Sequence, residues 1–281
     1  MRFQVMESLC VRGSAVMEDR MGWGEQFLFV IDGASGLTGT HITGHGSDAA
    51  WLAEGLRRQL VRLLPQMGLS LPQILSQAAG ELKADYDRLW GRSAPPDYPT
   101  AGVAVLRLRE DRLEYLGLGD CSAAVERADG TVDALEETRL PALDGEALRE
   151  MARLCRETGC TMPEARDALN DILIRNRRLS NTPEGYWIFD PSGVGVPHAR
   201  QQSWPAGQVR AVSLLSDGFA QLIEPFGLAP DLPGLHRMMR ESGLADLARE
   251  LFSRQQADPG CLANPRFKLR DDTAALWAAV E

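Results

Sequence analysis

Three apolar runs in this chain end on an aspartate: "FLFVID-G" at Asp32, "YLGLGD-C" at Asp120 and "AVSLLSD-G" at Asp217. A fourth, "RDDTAALWAAV", is instead preceded by acid, at Asp271 and Asp272. Continuous apolar runs bounded by turn residues read as strands buried on both faces. A carboxylate delivered to the rim of such a strand loses hydration and has to be hydrogen-bonded, paired or metal-bound. The same sequence holds a contrast. "ERADGTV" also contains Asp-Gly, but between two polar-edged strands, where a two-residue hairpin turn explains it. Taken singly, each of the other aspartates reads well as a helix or turn cap, because Asp and Gly dominate turns. Taken together, with Glu18 and Asp19 of "MEDR" upstream, they describe carboxylates that converge and repel. Hard divalent cations with oxygen ligands resolve that repulsion, which favours Mg²⁺ or Mn²⁺ over zinc.

Composition narrows the class. The chain has 281 residues, 44% hydrophobic and 25% charged, with no apolar run near the roughly 20 residues of a membrane span. "MRFQVMESLCVRG" lacks the continuous apolar core of about 7–15 residues that a signal peptide needs, so a cytoplasmic protein is expected. A net charge of −9 argues against nucleic acid as a partner, since phosphate backbones require a basic footprint. It also means that an anionic substrate would need local positive charge from a metal or a few arginines. Five cysteines without a Cys-x-x-Cys pair read as buried or free thiols.

The first thirty residues read as strands around a loop. Helices are expected from Ser47 to Leu64, with Ser47 as cap and Pro65 as stop, and from Pro72 to Trp90. "TAGVAVLRLRED" and "RLEYLGLGDCSAAVERADGTV" alternate as strands. From about 136 to 205 the character changes: helices at Asp144 to Thr158 and Pro163 to Arg178, then a Gly/Pro-rich stretch, read as an elaboration on the core. "QVRAVSLLSDGFAQL" returns to strand then helix, helices follow at about 231–241 and 244–257, and "DDTAALWAAV" ends the chain as a strand. Without repeats or a low-complexity linker, one domain over 1–281 is expected.

At these residues the chain resembles the metal-dependent protein phosphatases, the PPM or type 2C family of Ser/Thr phosphatases, in its bacterial form. "MED", "DGASG", "TAGVAVL", "LGDCSAAV", "LLSDGF" and "DDTAALW" occur in order over nearly the full length. Each motif alone is weak, and six in order are specific. The resemblance implies an α+β fold, a four-layer α-β-β-α sandwich with two central antiparallel sheets flanked by helices. It also implies two divalent cations, Mn²⁺ or Mg²⁺, with a third, weaker one. By that resemblance Asp32 bridges two metals and the Gly33 carbonyl binds one of them. Asp217 and Asp271 complete the second, and Glu18 and Asp19 hold metal-bound waters. Asp120 helps hold the third metal, and Asp272 is a secondary partner. A water activated between two cations would attack phosphorus in line, with no protein nucleophile. That agrees with the lack of a "GxSxG" elbow or a Cys-x5-Arg loop.

The expected activity is hydrolysis of phosphoserine and phosphothreonine in a phosphorylated protein, such as the product of a Ser/Thr kinase. A catalytically weak regulator that binds a phosphoprotein, and a small-molecule phosphohydrolase, are the alternatives. Departures from the family pattern bear on them. The family often carries a phosphate-gripping Arg where this chain has Ser14, and Arg12, two residues further back, either replaces it or faces solvent. Ala34 stands where many animal members carry a proton-donating His, and "GASG" replaces the usual turn around Met. His41 and His45 of "HITGH" read as loop histidines. Arg175, Arg177 and Arg178 either meet a phosphopeptide or are a cationic helix end favoured by the macrodipole. Trp187 and Phe189 read as strand core.

Overall fold

The computed structural model describes residues 1–34, 41–91 and 97–281. The chain opens with strands β1 (Phe3–Val11), β2 (Asp19–Gly24) and β3 (Phe27–Ala34), then helices α1 (Asp48–Leu63) and α2 (Leu71–Trp90). Ser47 caps α1 by accepting from the Ala50 amide. Ser70 and Gln73 form a reciprocal capping box on α2, and Gly91 closes that helix at φ 65°, where a side chain would be strained. Four strands follow: β4 (Thr100–Arg109), β5 (Arg112–Leu118), β6 (Ser122–Arg127) and β7 (Val132–Leu135).

Helices α3 (Arg139–Thr158), α4 (Met162–Ala168) and α5 (Asn170–Arg177) come next, then β8 (Arg200–Pro205) and β9 (Val209–Leu215). Helices α6 (Asp217–Ala220), α7 (Leu232–Ser242) and α8 (Leu244–Ala257) precede β10 (Thr273–Val280).

Two antiparallel five-stranded sheets result, one ordered β1-β10-β9-β6-β7 and the other β2-β3-β4-β5-β8. The alternation in β3 builds the layers. Phe27, Phe29 and Ile31 pack outward against Leu52, Leu56 and Leu60 of α1 and Ile74 and Leu75 of α2. Leu28 and Val30 point inward, into a core shared with Val125, Val212, Leu214 and Leu276 of the other sheet. The far face of that sheet, through Ala124, Leu215 and Ala275, packs on Leu235 and Met239 of α7 and Leu247 and Leu251 of α8. This is the expected four-layer α+β sandwich. Each fully buried Leu, Ile or Phe contributes about 1.5–3 kcal/mol, so both faces of β3 anchor the strand that carries Asp32.

Some boundaries differ from expectation. Helix α3 begins at Arg139 rather than Asp144. The single helix expected from Pro163 to Arg178 breaks at Leu169 (φ −108°, ψ 24°), where neither Pro nor Gly signals a stop. The β6–β7 hairpin is closed by three residues, not two: the Arg127 amide donates to the Thr131 carbonyl, with Gly130 at φ 86°. Residues 200–205, assigned in sequence to the elaboration, form the edge strand β8 on β5. Its residues are mostly exposed, so it carries little apolar signal. Phe189 is fully buried but makes a single bridge to Ala101, and half-buried Trp187 stacks on His198 at 3.6 Å rather than joining a strand. Helices α3 and α4 gather a small core of their own around Met151, Cys155, Met162 and Cys261. Among the described residues no helix is long and apolar enough to cross a membrane.

Candidate metal centre

Strand register assembles the acids. Asp32, near the end of β3, pairs with Asp19 of β2 on one side and Gly102 of β4 on the other. Asp120 follows β5, Asp217 opens α6 directly after β9, and Asp271 precedes β10. All four strand ends open on a pocket of about 260 Å³, lined by Glu18, Asp32, Gly33, Asp120, Asp217 and Asp271. Two glycines make room. A Cβ on Gly33 would come within 2.9 Å of the Glu18 carbonyl and 3.0 Å of the Ala49 carbonyl. One on Gly102 would meet Asp120 Oδ1 at 2.6 Å.

The carboxylates raise one another. Burial pushes Asp32 well above the usual range, and the neighbouring charges of Asp19, Asp217 and Asp120 add to it. Asp217 is raised as well, by burial and then by Asp120, and it shares a hydrogen bond with Asp32. Burial also lifts Asp120 and Asp271 to about 6. Asp19, across the strand pair from Asp32 and 1% exposed, does not line the pocket and is raised by burial although Ser216 Oγ donates to its Oδ2 at 2.7 Å. Among the described residues one ion pair reaches this set: Lys268 Nζ sits 2.5 Å from Asp271 Oδ1. Asp32, Asp120 and Asp217 have no ion-pair partner among the described residues.

Among the described residues, no three metal-competent side chains are already spaced around a cation. The donor set nevertheless fits one chemically. It is all oxygen, it lines a single pocket, and its charge is left largely unneutralised by the protein. That suits a hard divalent ion and disfavours a thiolate- or imidazole-seeking one.

The other expected residues separate. Glu18 lines the pocket, and Ser47 Oγ donates to its Oε1 at 2.5 Å. Asp272, 4% exposed, acts as a clasp on the β1–β2 loop: its Oδ1 accepts from the Gly13 and Ser14 amides at 2.8 and 3.3 Å, and its Oδ2 from the Glu18 amide at 2.5 Å. Arg12 is exposed, bonds the Ala15 carbonyl at 3.5 Å and does not line the pocket. His41 and His45 are exposed and lie outside it. Ala34 ends β3 in the lining, while Ser35 and Gly36 of "GASG" lie outside the described residues. Of the arginine trio only Arg177 lines the pocket, whereas Arg175 faces Glu146 at 3.9 Å and Arg178 is exposed. Asp144, Arg166 and Lys268 join the lining unforeseen. The lysine, three residues before Asp271, was close enough in sequence to be suspected. Asp144 and Arg166 belong to charged helices with no local pattern to distinguish them.

Known proteins show the same architecture. The crystal structure of the Mycobacterium tuberculosis serine/threonine phosphatase PstP/Ppp matches at TM-score 0.55 and 15% identity, covering 100% of both chains. The PstP catalytic domain was also crystallised with two manganese ions. PppA, a regulatory component of type VI secretion in Pseudomonas aeruginosa, matches at TM-score 0.54 and 16% identity, covering 99% of this chain and 98% of its own. A serine-threonine phosphatase 2C from Toxoplasma gondii matches at TM-score 0.54 and 15% identity, over 100% of this chain and 95% of its own. No curated protein sequence matches this chain. At such identities the structures establish the fold. The sequence model for Protein phosphatase 2C, however, matches residues 11–253, most of the chain. The clustered acids thus have a family context: this chain belongs to the protein phosphatase 2C family.

Proposed function

We propose that the chain is a metal-dependent protein phosphatase that hydrolyses phosphoserine and phosphothreonine, acting as one unit over 1–281. The observation that carries this reading is the convergence of Asp32, Asp120, Asp217 and Asp271 on one pocket, three of them without a protein cation among the described residues. The neighbour crystallised with two manganese ions supports a pair of Mn²⁺ or Mg²⁺, with a third, weaker ion at Asp120. When bound, such cations lower the pKa of coordinated water and polarise phosphoryl oxygens.

The residues divide the remaining work. Asp32, the Gly33 carbonyl, Asp217 and Asp271 would hold the ions, and Glu18 and Asp19 would orient water through hydrogen bonds. Ser216 holds Asp19, and Ser47 holds Glu18, so both acids are aimed before substrate arrives. Asp272 fixes the loop that presents Glu18. Ala34 has no proton to give, so the leaving alkoxide takes its proton from solvent or another pocket group. Helices α3 to α5 wall the pocket on the substrate side, through Asp144, Arg166 and Arg177.

Phosphate release from a phosphoserine peptide, a phosphothreonine peptide and an aryl phosphate tests the reading, with Mn²⁺ or Mg²⁺ and then with chelator. Metal-dependent release from the peptides is expected. Release that survives chelation, or release from the aryl phosphate alone, would overturn it.

A further inference from the structure

The pocket is built from acids, yet two guanidiniums line it, and neither serves those acids as a direct partner. Arg177, in the last turn of α5, and Arg166, in α4, both face the pocket. Among the described residues no carboxylate lies within ion-pair distance of either. Other helix arginines do sit on an Asp or Glu, as Arg57 does on Glu54 and Arg153 on Glu150. Arg177 is also pinned. Its Nη1 donates to Thr100 Oγ1 at 2.9 Å, and Thr100 pairs with Ala34 across β3 and β4. The guanidinium is therefore tied beside the strand end that carries Asp32 and Gly33. Among the described residues one of its five N–H donors is used, leaving four for a ligand.

Arg177 offsets part of the rise of Asp120 and Asp144 through space, but among the described residues no carboxylate takes its hydrogen bonds, so the half-buried fork stays open to an arriving anion. A phosphoryl group held by metal ions against the acids is such an anion, and the guanidinium fork matches its oxygens. Arg12 does not compete for this role in the structure, being exposed and bonded to the Ala15 carbonyl. We propose that Arg177, assisted by Arg166, binds the phosphoryl group of the substrate, so that the helical insertion supplies the phosphate grip. This rests on the phosphatase reading above. Because the grip is carried by α4 and α5, substrate affinity depends on how that insertion packs over the pocket, through its own core at Met151, Cys155, Met162 and Cys261.

The test is calorimetric titration of the manganese-loaded full chain with inorganic phosphate, alongside product inhibition and the KM-against-kcat split on a phosphopeptide. Arg177→Ala is expected to weaken phosphate binding about 10-fold or more and to raise KM by a similar factor. Arg166→Ala should do so about 3-fold. Arg175→Ala, which removes the same charge from an exposed site on the same helix, should stay within about twofold of wild type. Manganese affinity should be unchanged or higher in Arg177→Ala, since a cation near Asp120 and Asp144 is lost.

Phosphate titrations of Arg177→Ala and Arg166→Ala that match wild type overturn the proposal and leave the phosphatase reading standing. A loss confined to Arg12→Ala overturns it too, by placing the phosphate at the β1 end. A wild type that binds manganese and phosphate through Arg177 but turns over no phosphopeptide upholds the grip and sinks the phosphatase reading. No phosphate binding by wild type overturns the grip, and phosphate release from the phosphopeptides then decides the phosphatase reading separately.

Discussion

Glu126 and Asp32 are both carboxylates held in a sheet, and the fold treats them in opposite ways. Glu126 on β6 is 5% exposed, and α7 brings His236 Nε2 (3.2 Å) and Arg240 Nη1 to the same carboxylate oxygen. Since a carboxylate only accepts, Nε2 carries the proton, and the opposite ring nitrogen accepts from Ser213 Oγ at 2.7 Å. Burial raises Glu126, but the bonds from His236 and Arg240 outweigh it and leave its pKa below the usual glutamate value. At Asp32 no described residue forms such a pair, and the cation that acts on it among them is the more distant Lys268. Burial and neighbouring acids both push upward, and the nearest hydrogen-bonding partner is another acid, Asp217. A buried acid neutralised by its own chain is a structural device. A set of acids left to repel one another raises the energy of the bare protein, and it is tolerable where an external cation completes it.

The widest gap between the two regions should appear on substitution. Asp32→Ala or Asp217→Ala is expected to lower phosphopeptide hydrolysis by at least about 10³-fold and to abolish high-affinity Mn²⁺ uptake. The chelated variants should melt no lower than chelated wild type, because a repelling charge has gone. Residual activity near wild type, or a clear loss of stability in chelator, would put the two clusters in one class. Glu126→Ala should do the reverse. It leaves His236 buried and Arg240 unpaired, and urea unfolding should show a loss of about 2–4 kcal/mol, with activity per folded molecule nearly unchanged in saturating Mn²⁺.

The two regions should also respond to pH with opposite sign. Asp120 and Asp271 rise from 3.8 to about 6 in the folded protein, so between those values the native state binds more protons than the unfolded one. Their contribution to the stability of the metal-free protein is therefore full below 3.8 and is lost as pH rises through about 6. Added Mn²⁺ should remove that loss. Glu126 is lowered from 4.5 and His236 from 6.5, the latter by burial, so their contribution is present at neutral pH and lost on acidification below those values. Denaturation midpoints across pH, in chelator and in Mn²⁺, check both limbs, and Glu126→Ala should flatten only the acid one. The smallest effect is reserved for Ser216→Ala. Removing the hydroxyl that bonds Asp19 should cost about 1 kcal/mol and slow turnover several-fold without changing Mn²⁺ stoichiometry.

The acid pocket was legible in sequence because its residues occur at strand ends. "FLFVID" announces a strand buried on both faces, and its aspartate has nowhere to go but the rim. Asp120 and Asp217 carry the same local mark, Asp271 instead precedes its apolar run, and all four line one pocket. The Glu126 cluster was not legible: Glu126 and His236 are 110 residues apart, and "AVERADG" reads as an ordinary polar-edged strand. The helical wall was half legible. Its helices were expected, but periodicity ran through the break at Leu169, and β8 was hidden because an exposed edge strand has no apolar period. Arg166 and Asp144 had no local sign, since a charged residue on a charged helix looks alike whether it faces solvent or a site.

What the sequence determined by itself was which runs are buried and which acids stand beside them, while the order of the layers came with the family resemblance that those motifs carry. Hydrophobic periodicity decides which strands are buried, and a charge at the end of a buried run is a local fact. What only the tertiary structure decided was which cations meet which acids. His236 and Arg240 were brought to Glu126, while Arg177 was tied to the Thr100 hydroxyl at the pocket wall with no acid in ion-pair reach among the described residues. Pairing of charges depends on separations set by packing between distant segments, and Coulomb energy falls off too steeply in a partly wet site for composition or spacing along the chain to foretell it.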